Sequence, residues 1–128
     1  MSRGLADTTV FIARESDRRI DTDSLPDEIG VSVITIGELR AGVLAAADVE
    51  TRDRRLATLT QALALEPIHV DAGVAESWAR LRLLLRDSQQ RMPVNDSWIA
   101  ATALALWVPL VTQDDDYVDV PGLAVITV

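Results

Sequence analysis

Short apolar runs typical of β-strands alternate along this chain with longer amphipathic stretches typical of α-helices. Strands separated by helices pair in parallel, because each connection must cross back over the sheet to reach the same end. This order predicts a single α/β domain spanning residues 1–128, an α/β/α sandwich around a central, mostly parallel sheet. The predicted strands are 2–6, 31–34, 65–70, 108–112 and 123–128, and helices are predicted to begin near Thr35, after Asp48, after Asp71 and near Asn95.

Hydrophobic periodicity alone does not decide the type or the position of every predicted element. Residues 10–14 fit either a strand or a helix, and the run 65–70 is expected at a sheet edge because Pro67 cannot donate a ladder hydrogen bond. The three tryptophans are expected to pack in the core rather than to stack on bases. The predicted core stripes are Val74, Trp78, Leu81 and Leu85 on one helix and Leu56, Leu59 and Leu63 on another, and the tryptophans are Trp78, Trp98 and Trp107.

The composition excludes several classes of function. The chain has no cysteine and one histidine, His69, which argues against thiolate metal sites and His-based triads. All 12 basic residues are arginine, so a P-loop lysine is absent. The net charge of −8 does not suit a passive nucleic-acid binder, although acids gathered around metal ions can act on nucleic acid. Without a membrane-length apolar run or a signal peptide, a cytoplasmic location is expected.

Acidic residues follow the predicted strands at several places. Asp7 follows the first strand, Glu38 lies one helical turn after the second, Asp96 opens a helix, and 114–116 follow the strand 108–112. Because the carboxyl ends of parallel strands share one edge, these acids are expected to meet there. Clustered carboxylates repel one another unless a cation neutralises them, and oxygen ligands without His or Cys favour Mg²⁺ or Mn²⁺. Such a site suits phosphate ester hydrolysis.

Each acid also has a purely structural explanation. Asp7 could cap a helix, Glu38 could close a capping box that starts at Thr35, and Asp96 could complement a helix dipole. Residues 114–116 could form a solvated turn. No single acid distinguishes the two explanations, but the set of acids at strand ends in this order favours a common site.

Four sequence blocks carry a resemblance to a known family. The chain resembles the PIN-domain ribonucleases, and specifically the VapC-type toxins of bacterial toxin–antitoxin pairs. The resemblance spans nearly the whole chain and implies that residues 10–13 begin a helix. The blocks are Leu5–Ala13, Ser32–Gly42, Pro93–Ala101 and Leu110–Tyr117, followed by Pro121–Leu123 before the last strand.

The resemblance implies a metal-dependent endoribonuclease that leaves 5′-phosphate and 3′-hydroxyl ends. Mg²⁺ is the implied cofactor, and Mn²⁺ is expected to replace it. The implied catalytic residues are Asp7, Glu38, Asp96, Asp114 and Asp116; the first four are the implied metal ligands, and Thr8 and Thr112 are expected beside them.

The resemblance also implies partners, namely a VapB-like antitoxin, an RNA substrate and a second copy in a homodimer. The many apolar residues of 35–64 are expected to be covered by the antitoxin. Arg14 is a candidate RNA contact. The arginines of 52–55 and 80–91 fit either RNA contact or a solvated helix face. The competing hypotheses are a catalytically silent PIN-like module that binds RNA or protein, and a phosphatase or DNA nuclease on the same fold.

Overall fold

The structure is a computed structural model that describes residues 1–114, 117 and 119–128. Across this described part of the chain, five α-helices pack around a four-stranded sheet. A short 3₁₀ helix, Thr22–Ser24, precedes the second strand. The elements are β1 (Arg3–Ala6), α1 (Thr8–Glu15), β2 (Glu28–Val31), α2 (Val33–Leu44), α3 (Val49–Leu63), α4 (Ala72–Asp87), α5 (Val94–Leu106), β3 (Leu110–Thr112) and β4 (Val125–Thr127).

The strand order is β2-β1-β3-β4, and each neighbouring pair is parallel. Leu5 of β1 lies beside Gly30 of β2 and Leu110 of β3. The predicted α/β fold is therefore confirmed, with every described pair parallel. Since all four strands run the same way, their carboxyl ends share one edge of the sheet.

Two apolar clusters cover the two faces of this sheet. Successive strand residues point to opposite faces, so Leu5 packs with α4 and α5 while Ala6 packs with α1, α2 and α3. This is the predicted three-layer arrangement. The chain passes from β1 directly into α1, so a residue at that junction lies between the layers.

Gly4 has a steric reason to be in β1, although glycine is a poor strand residue. A Cβ at this position would lie 2.8 Å from both Pro26 Cγ and Val111 Cγ2. Only glycine therefore allows the neighbouring segments to approach this closely.

Two predicted strands differ from the observed ones. The second strand ends at Val31, because the Ser32 side chain accepts a hydrogen bond from Ile34 N at 3.0 Å and starts α2 at Val33. The predicted strand 65–70 is wrong, since this segment contributes only an isolated bridge between Ile68 and Ser32. A positive φ of 56° at Glu66, followed by Pro67, prevents a regular strand there.

The predicted core stripes are correct on α4 and wrong in part on α3. Val74, Leu81 and Leu85 are buried. Leu59 is also buried, but Leu56 and Leu63 are 42% and 48% exposed, so α3 presents apolar surface to solvent. Trp107 was expected in the core but is 92% exposed, because it ends α5 in the left-handed conformation and projects away from the layer.

Helix ends follow the sequence closely elsewhere. Asp48 and Asp71 cap α3 and α4 as predicted, through hydrogen bonds to Thr51 N and Val74 N. Residues 10–14 belong to α1. None of the described helices is long and apolar enough to cross a bilayer.

Candidate active site

The carboxyl edge of the sheet brings together four of the predicted acids. Asp7 directly follows β1, Glu38 is in α2, Asp96 lies in the first turn of α5, and Asp114 follows β3. Burial raises the pKa of Asp96, and the nearby carboxylates of Asp7, Glu38 and Asp114 raise it further. These acids, which are far apart in sequence, therefore act electrostatically on one another.

Two threonine hydroxyls orient the carboxylate of Asp7. Thr9 donates to one carboxylate oxygen at 2.5 Å, and Thr112 donates to the other at 2.6 Å. The same hydroxyls accept backbone N–H groups from the turn after β3: Gln113 N donates to Thr9 Oγ1, and Asp114 N donates to Thr112 Oγ1, both at 3.0 Å. Each threonine thus links one oxygen of Asp7 to the segment that carries Asp114.

Asp7 serves the local helix and the site at once. Its side chain accepts from Thr9 N at 3.1 Å, which caps α1. The residue is only 6% exposed, and burial raises the pKa of its carboxyl, although the hydrogen bonds from Thr112 and Thr9 oppose the shift. A residue that only caps a helix does not need to be buried to this extent. Capping of α1 therefore explains only part of the placement of Asp7.

Glu38 does not close a capping box. The cap of α2 is Ser32, and the Glu38 carboxylate accepts from Thr8 Oγ1 at 2.6 Å. Thr8 Oγ1 also lies 3.0 Å from the buried Thr35 Oγ1. The hydroxyl of Thr8 therefore orients Glu38 from α1, in the same way that Thr9 and Thr112 orient Asp7.

Asp96 lies in the first turn of a helix that has no side-chain cap. The position before α5 is Pro93, whose side chain cannot accept a hydrogen bond. Asp96 thus has the position that a helix-dipole role requires. The charged groups that shift its pKa are all carboxylates, however, so this acid adds to an excess of negative charge.

Tyr117 is a further residue of the site that the sequence did not single out for chemistry. Burial raises the pKa of its phenol above the usual range, and the charges of Asp96, Asp7 and Asp114 raise it further. Its hydroxyl donates to Met92 Sδ at 3.9 Å. The aromatic position in the fourth sequence block was the available signal, but it did not indicate a phenol beside the acids.

Two predicted site residues do not join this group. Asp116 lies outside the described residues. Arg14 is exposed in the last turn of α1, is not among the charges that shift the pKa of Asp96, and makes no ion pair with any described residue. Conversely, Thr9 and Gln113 take part in the site although the sequence did not predict a role for them. The signal for Thr9 was its place two residues after Asp7.

The chemistry of the donors fits Mg²⁺. All the candidate ligands are hard carboxylate oxygens, and their mutual repulsion is the penalty that a divalent cation removes. Among the described residues no three acidic or histidine side chains converge closely enough to hold an ion as they stand. The fit therefore rests on donor type and charge, with Asp7 and Glu38 turned toward threonine hydroxyls.

Comparisons with known proteins agree on one family. The family model described as PIN domain matches residues 5–123. Ribonuclease VapC4 of Mycobacterium tuberculosis is 50% identical over 127 residues, which are 98% of this chain and 97% of the relative. Ribonuclease VapC5 of the same species is 47% identical over 121 residues, 94% of this chain and 90% of the relative.

A solved structure is similar over its full length. It is a member of the VapBC family of toxin–antitoxin systems, VapBC-5, from Mycobacterium tuberculosis. The TM-score is 0.91 at 41% sequence identity, and the match covers 100% of both chains.

Proposed function

This chain belongs to the PIN-domain family as a VapC ribonuclease toxin of a VapBC toxin–antitoxin system, and from that premise we propose how it cleaves RNA. The proposed reaction is hydrolysis of an RNA phosphodiester, with Mg²⁺ as cofactor and Asp7, Glu38, Asp96 and Asp114 as its ligands. Asp116 remains a further candidate from the same sequence block. We propose that residues 1–128 form one functional domain that acts in the cytoplasm.

The observation that carries the proposal is the charge coupling at the carboxyl edge of the sheet. Burial raises the pKa of Asp96, and carboxylates from different elements raise it further, without a basic side chain among the groups that shift it. An arrangement that only stabilised the fold would pair these acids with arginines, which the chain has in number. The excess of negative charge instead supports a site that takes up a cation.

When bound, Mg²⁺ supplies charge neutralisation at the phosphate and lowers the pKa of a water molecule. The protein's part is to hold the ligands in place. Thr9 and Thr112 restrain both oxygens of Asp7, and Thr8 restrains Glu38. In the reaction a water oxygen forms a bond to phosphorus, the bond from phosphorus to the 3′ oxygen breaks, and that oxygen takes up a proton.

We also propose a VapB-like antitoxin and a homodimer as partners. Solved VapBC structures are the neighbours of this fold. The apolar surface on α2 and α3 supports an antitoxin site, because an isolated domain gains nothing from exposing it. This surface includes Leu44, Val49, Leu56 and Leu63, which are all exposed.

The test is cleavage of purified total RNA by the antitoxin-free protein with Mg²⁺, Mn²⁺ or EDTA. We expect discrete fragments with 5′-phosphate ends in Mg²⁺ or Mn²⁺, and none in EDTA or with Asp96→Asn. Asp53→Asn, which changes an exposed acid on α3, is the matched control and should cleave normally. A folded protein that binds Mg²⁺ but cleaves none of these RNAs would favour the silent binding module.

A further inference from the structure

Two tryptophans and an arginine form a stack where α4 packs against α5. The rings of Trp78 and Trp98 are parallel within 4°, with centroids 4.3 Å apart. The guanidinium carbon of Arg82 lies 5.4 Å from the centroid of the Trp78 ring. We call these three residues the Trp–Arg stack. Both rings also pack against the core cluster on this side of the sheet, which holds the stack in place.

Arg82 differs from its neighbours on the same helix. Arg80 pairs with Glu76 at 3.1 Å, and Arg86 pairs with Asp87 at 3.3 Å. Arg82 is exposed and makes neither an ion pair nor a guanidinium hydrogen bond with any described residue. Its N–H donors therefore face solvent while Trp78 restrains the planar group, which lowers the entropic cost of binding a ligand.

A hydrogen bond connects this stack to the candidate active site. Trp78 Nε1 donates to Ser97 Oγ at 3.0 Å, and the buried Ser97 directly follows Asp96 in the first turn of α5. Ser97 Oγ in turn donates to Val94 O, within the same turn. The Trp–Arg stack therefore packs on the turn that carries Asp96.

The charge distribution explains why a contact of this kind is needed. The chain carries a net charge of −8, and acids dominate the cleavage site, so an RNA strand is repelled on either side of the bound cation. Arg82 rests on Trp78, whose indole bonds to the turn that carries Asp96, and it has no acidic partner among the described residues, so its charge can offset the repulsion. Guanidinium groups bind phosphates through paired N–H donors and stack on unpaired bases, and both modes suit single-stranded RNA.

We propose that Arg82, restrained by Trp78, binds single-stranded RNA beside the active site and contacts a phosphate or a base that flanks the cleaved bond. The inference rests on the proposed ribonuclease function, since it assigns part of the substrate path to the outer face of α4. The role is one of binding, so it affects RNA affinity rather than the chemistry at the acids.

The experiment measures binding of a fluorescent single-stranded RNA by anisotropy in EDTA, in the cleavage-deficient Asp96→Asn background. Arg82→Ala should weaken binding by about tenfold, the size expected for one lost stacking or phosphate contact. Arg3→Ala is the matched control, because it also removes one exposed arginine, and Arg3 lies at the amino end of β1, at the edge of the sheet opposite the acids, where it pairs with Glu28 at 2.9 Å. It should change binding by less than about twofold.

A second variant separates the two modes of contact. Arg82→Lys keeps the charge but loses the planar group. Nearly full recovery of affinity indicates a phosphate contact, and recovery of less than half indicates stacking on a base; both outcomes support the proposal. Equal affinities for Arg82→Ala and Arg3→Ala would overturn it. A change of oligomeric state in Arg82→Ala on sedimentation would also overturn it, since the surface would then be an interface between copies.

Failure of this proposal is distinguishable from failure of the nuclease proposal. Binding is measured without metal and without cleavage, so Arg82-dependent RNA binding stands even if the wild-type protein cuts no RNA. Conversely, metal-dependent cleavage with no effect of Arg82→Ala on affinity would leave the nuclease and remove this binding site. Thermal midpoints of the variants show that each one is folded.

Discussion

Asp7 is a buried carboxylate whose two oxygens each accept a hydrogen bond from a threonine hydroxyl. The bonds offset part of the cost of burial, but the pKa of Asp7 is still raised, so desolvation outweighs them. Burial also raises the pKa of Asp96, and repulsion from its acidic neighbours raises it further. In the metal-free protein, ionisation of either side chain therefore reduces the free energy of unfolding relative to the protonated form.

Replacing Asp96 tests this balance. Because the folded-state pKa is raised above the ordinary value of 3.8, the favourable contribution of the protonated form is complete below that pH and is lost as pH rises through the folded-state pKa. Asp96→Asn should therefore abolish cleavage while its thermal midpoint in EDTA at pH 7 equals or exceeds that of the wild type. If the thermal midpoint of Asp96→Asn is higher than that of the wild type at pH 7, the difference should disappear as the pH falls below 3.8. A large drop in the midpoint at pH 7 would instead show that Asp96 mainly stabilises the fold.

Removing the hydroxyl of Thr9 should weaken Mg²⁺ binding. Thr9→Val removes a donor to Asp7 and an acceptor for Gln113 N while keeping the shape of the side chain. Loss of a group that orients a metal ligand typically costs about 10- to 100-fold in metal affinity or activity. We expect the Mg²⁺ concentration for half-maximal cleavage to rise by at least about tenfold.

The matched control for that variant is Thr58→Val. Thr58 is a buried threonine, whereas Thr9 is half-buried, and the Thr58 hydroxyl donates to Arg54 O within α3, away from the acids. It should leave the Mg²⁺ dependence of cleavage unchanged. An equal shift in both variants would mean that the effect comes from general loosening of the fold.

At the scale of elements, the site depends on junctions where a strand ends and a helix begins. Asp7 both follows β1 and caps α1, and Ser32 follows β2 and caps α2. Such junctions lie at the carboxyl edge because every connection in a parallel sheet leaves from that edge. The capping residues therefore determine where each helix starts. The start of the helix in turn determines which residues of its first turns reach the site.

The cap of α4 offers a test of an element that supports the site without entering it. Asp71→Ala removes the acceptor for Val74 N at 2.9 Å. We expect a loss of about 1 kcal/mol in the free energy of unfolding and a fall of roughly 3–5 °C in the thermal midpoint. Cleavage per folded molecule should be unchanged, and Asp53→Ala on the exposed face of α3 should change neither quantity. A selective loss of cleavage would place α4 closer to the chemistry than its contacts indicate.

At the scale of the whole molecule, a cation bound at the acidic edge of the sheet would link metal binding to stability. A cation that binds the folded state but not the unfolded one stabilises the protein in proportion to the logarithm of its concentration. The net charge of −8 would strengthen this link, because a bound cation would remove repulsion among acids that only folding brings together.

Mg²⁺ at about 100 times its dissociation constant should add about 2.7 kcal/mol to the free energy of unfolding of the wild type. The double variant Asp7→Asn with Asp96→Asn should gain almost nothing, because it lacks two of the proposed ligands. Differential scanning calorimetry across an Mg²⁺ series, with NaCl of matched ionic strength, makes the measurement. Equal gains in the two proteins would indicate nonspecific screening of the net charge.

The sequence by itself determined the order of strands and helices, apart from the strand wrongly predicted at 65–70, and it also determined most helix caps and the acids at the strand ends. These features depend on local periodicity and on side chains that bond a few residues away, as Asp71 does with Val74 N. Even the ambiguous residues 10–14 are part of a helix with a local signal, the cap at Asp7.

Only the tertiary structure decided how those acids are held and which apolar residues remain exposed. The hydrogen bond from Thr112 to Asp7 joins residues 105 positions apart, and that from Thr8 to Glu38 joins residues 30 apart. The exposure of Trp107 and Leu63 likewise depends on what packs nearby. Contacts of this kind leave no periodic trace in the chain, because they depend on the relative placement of whole elements rather than on the spacing of neighbouring residues.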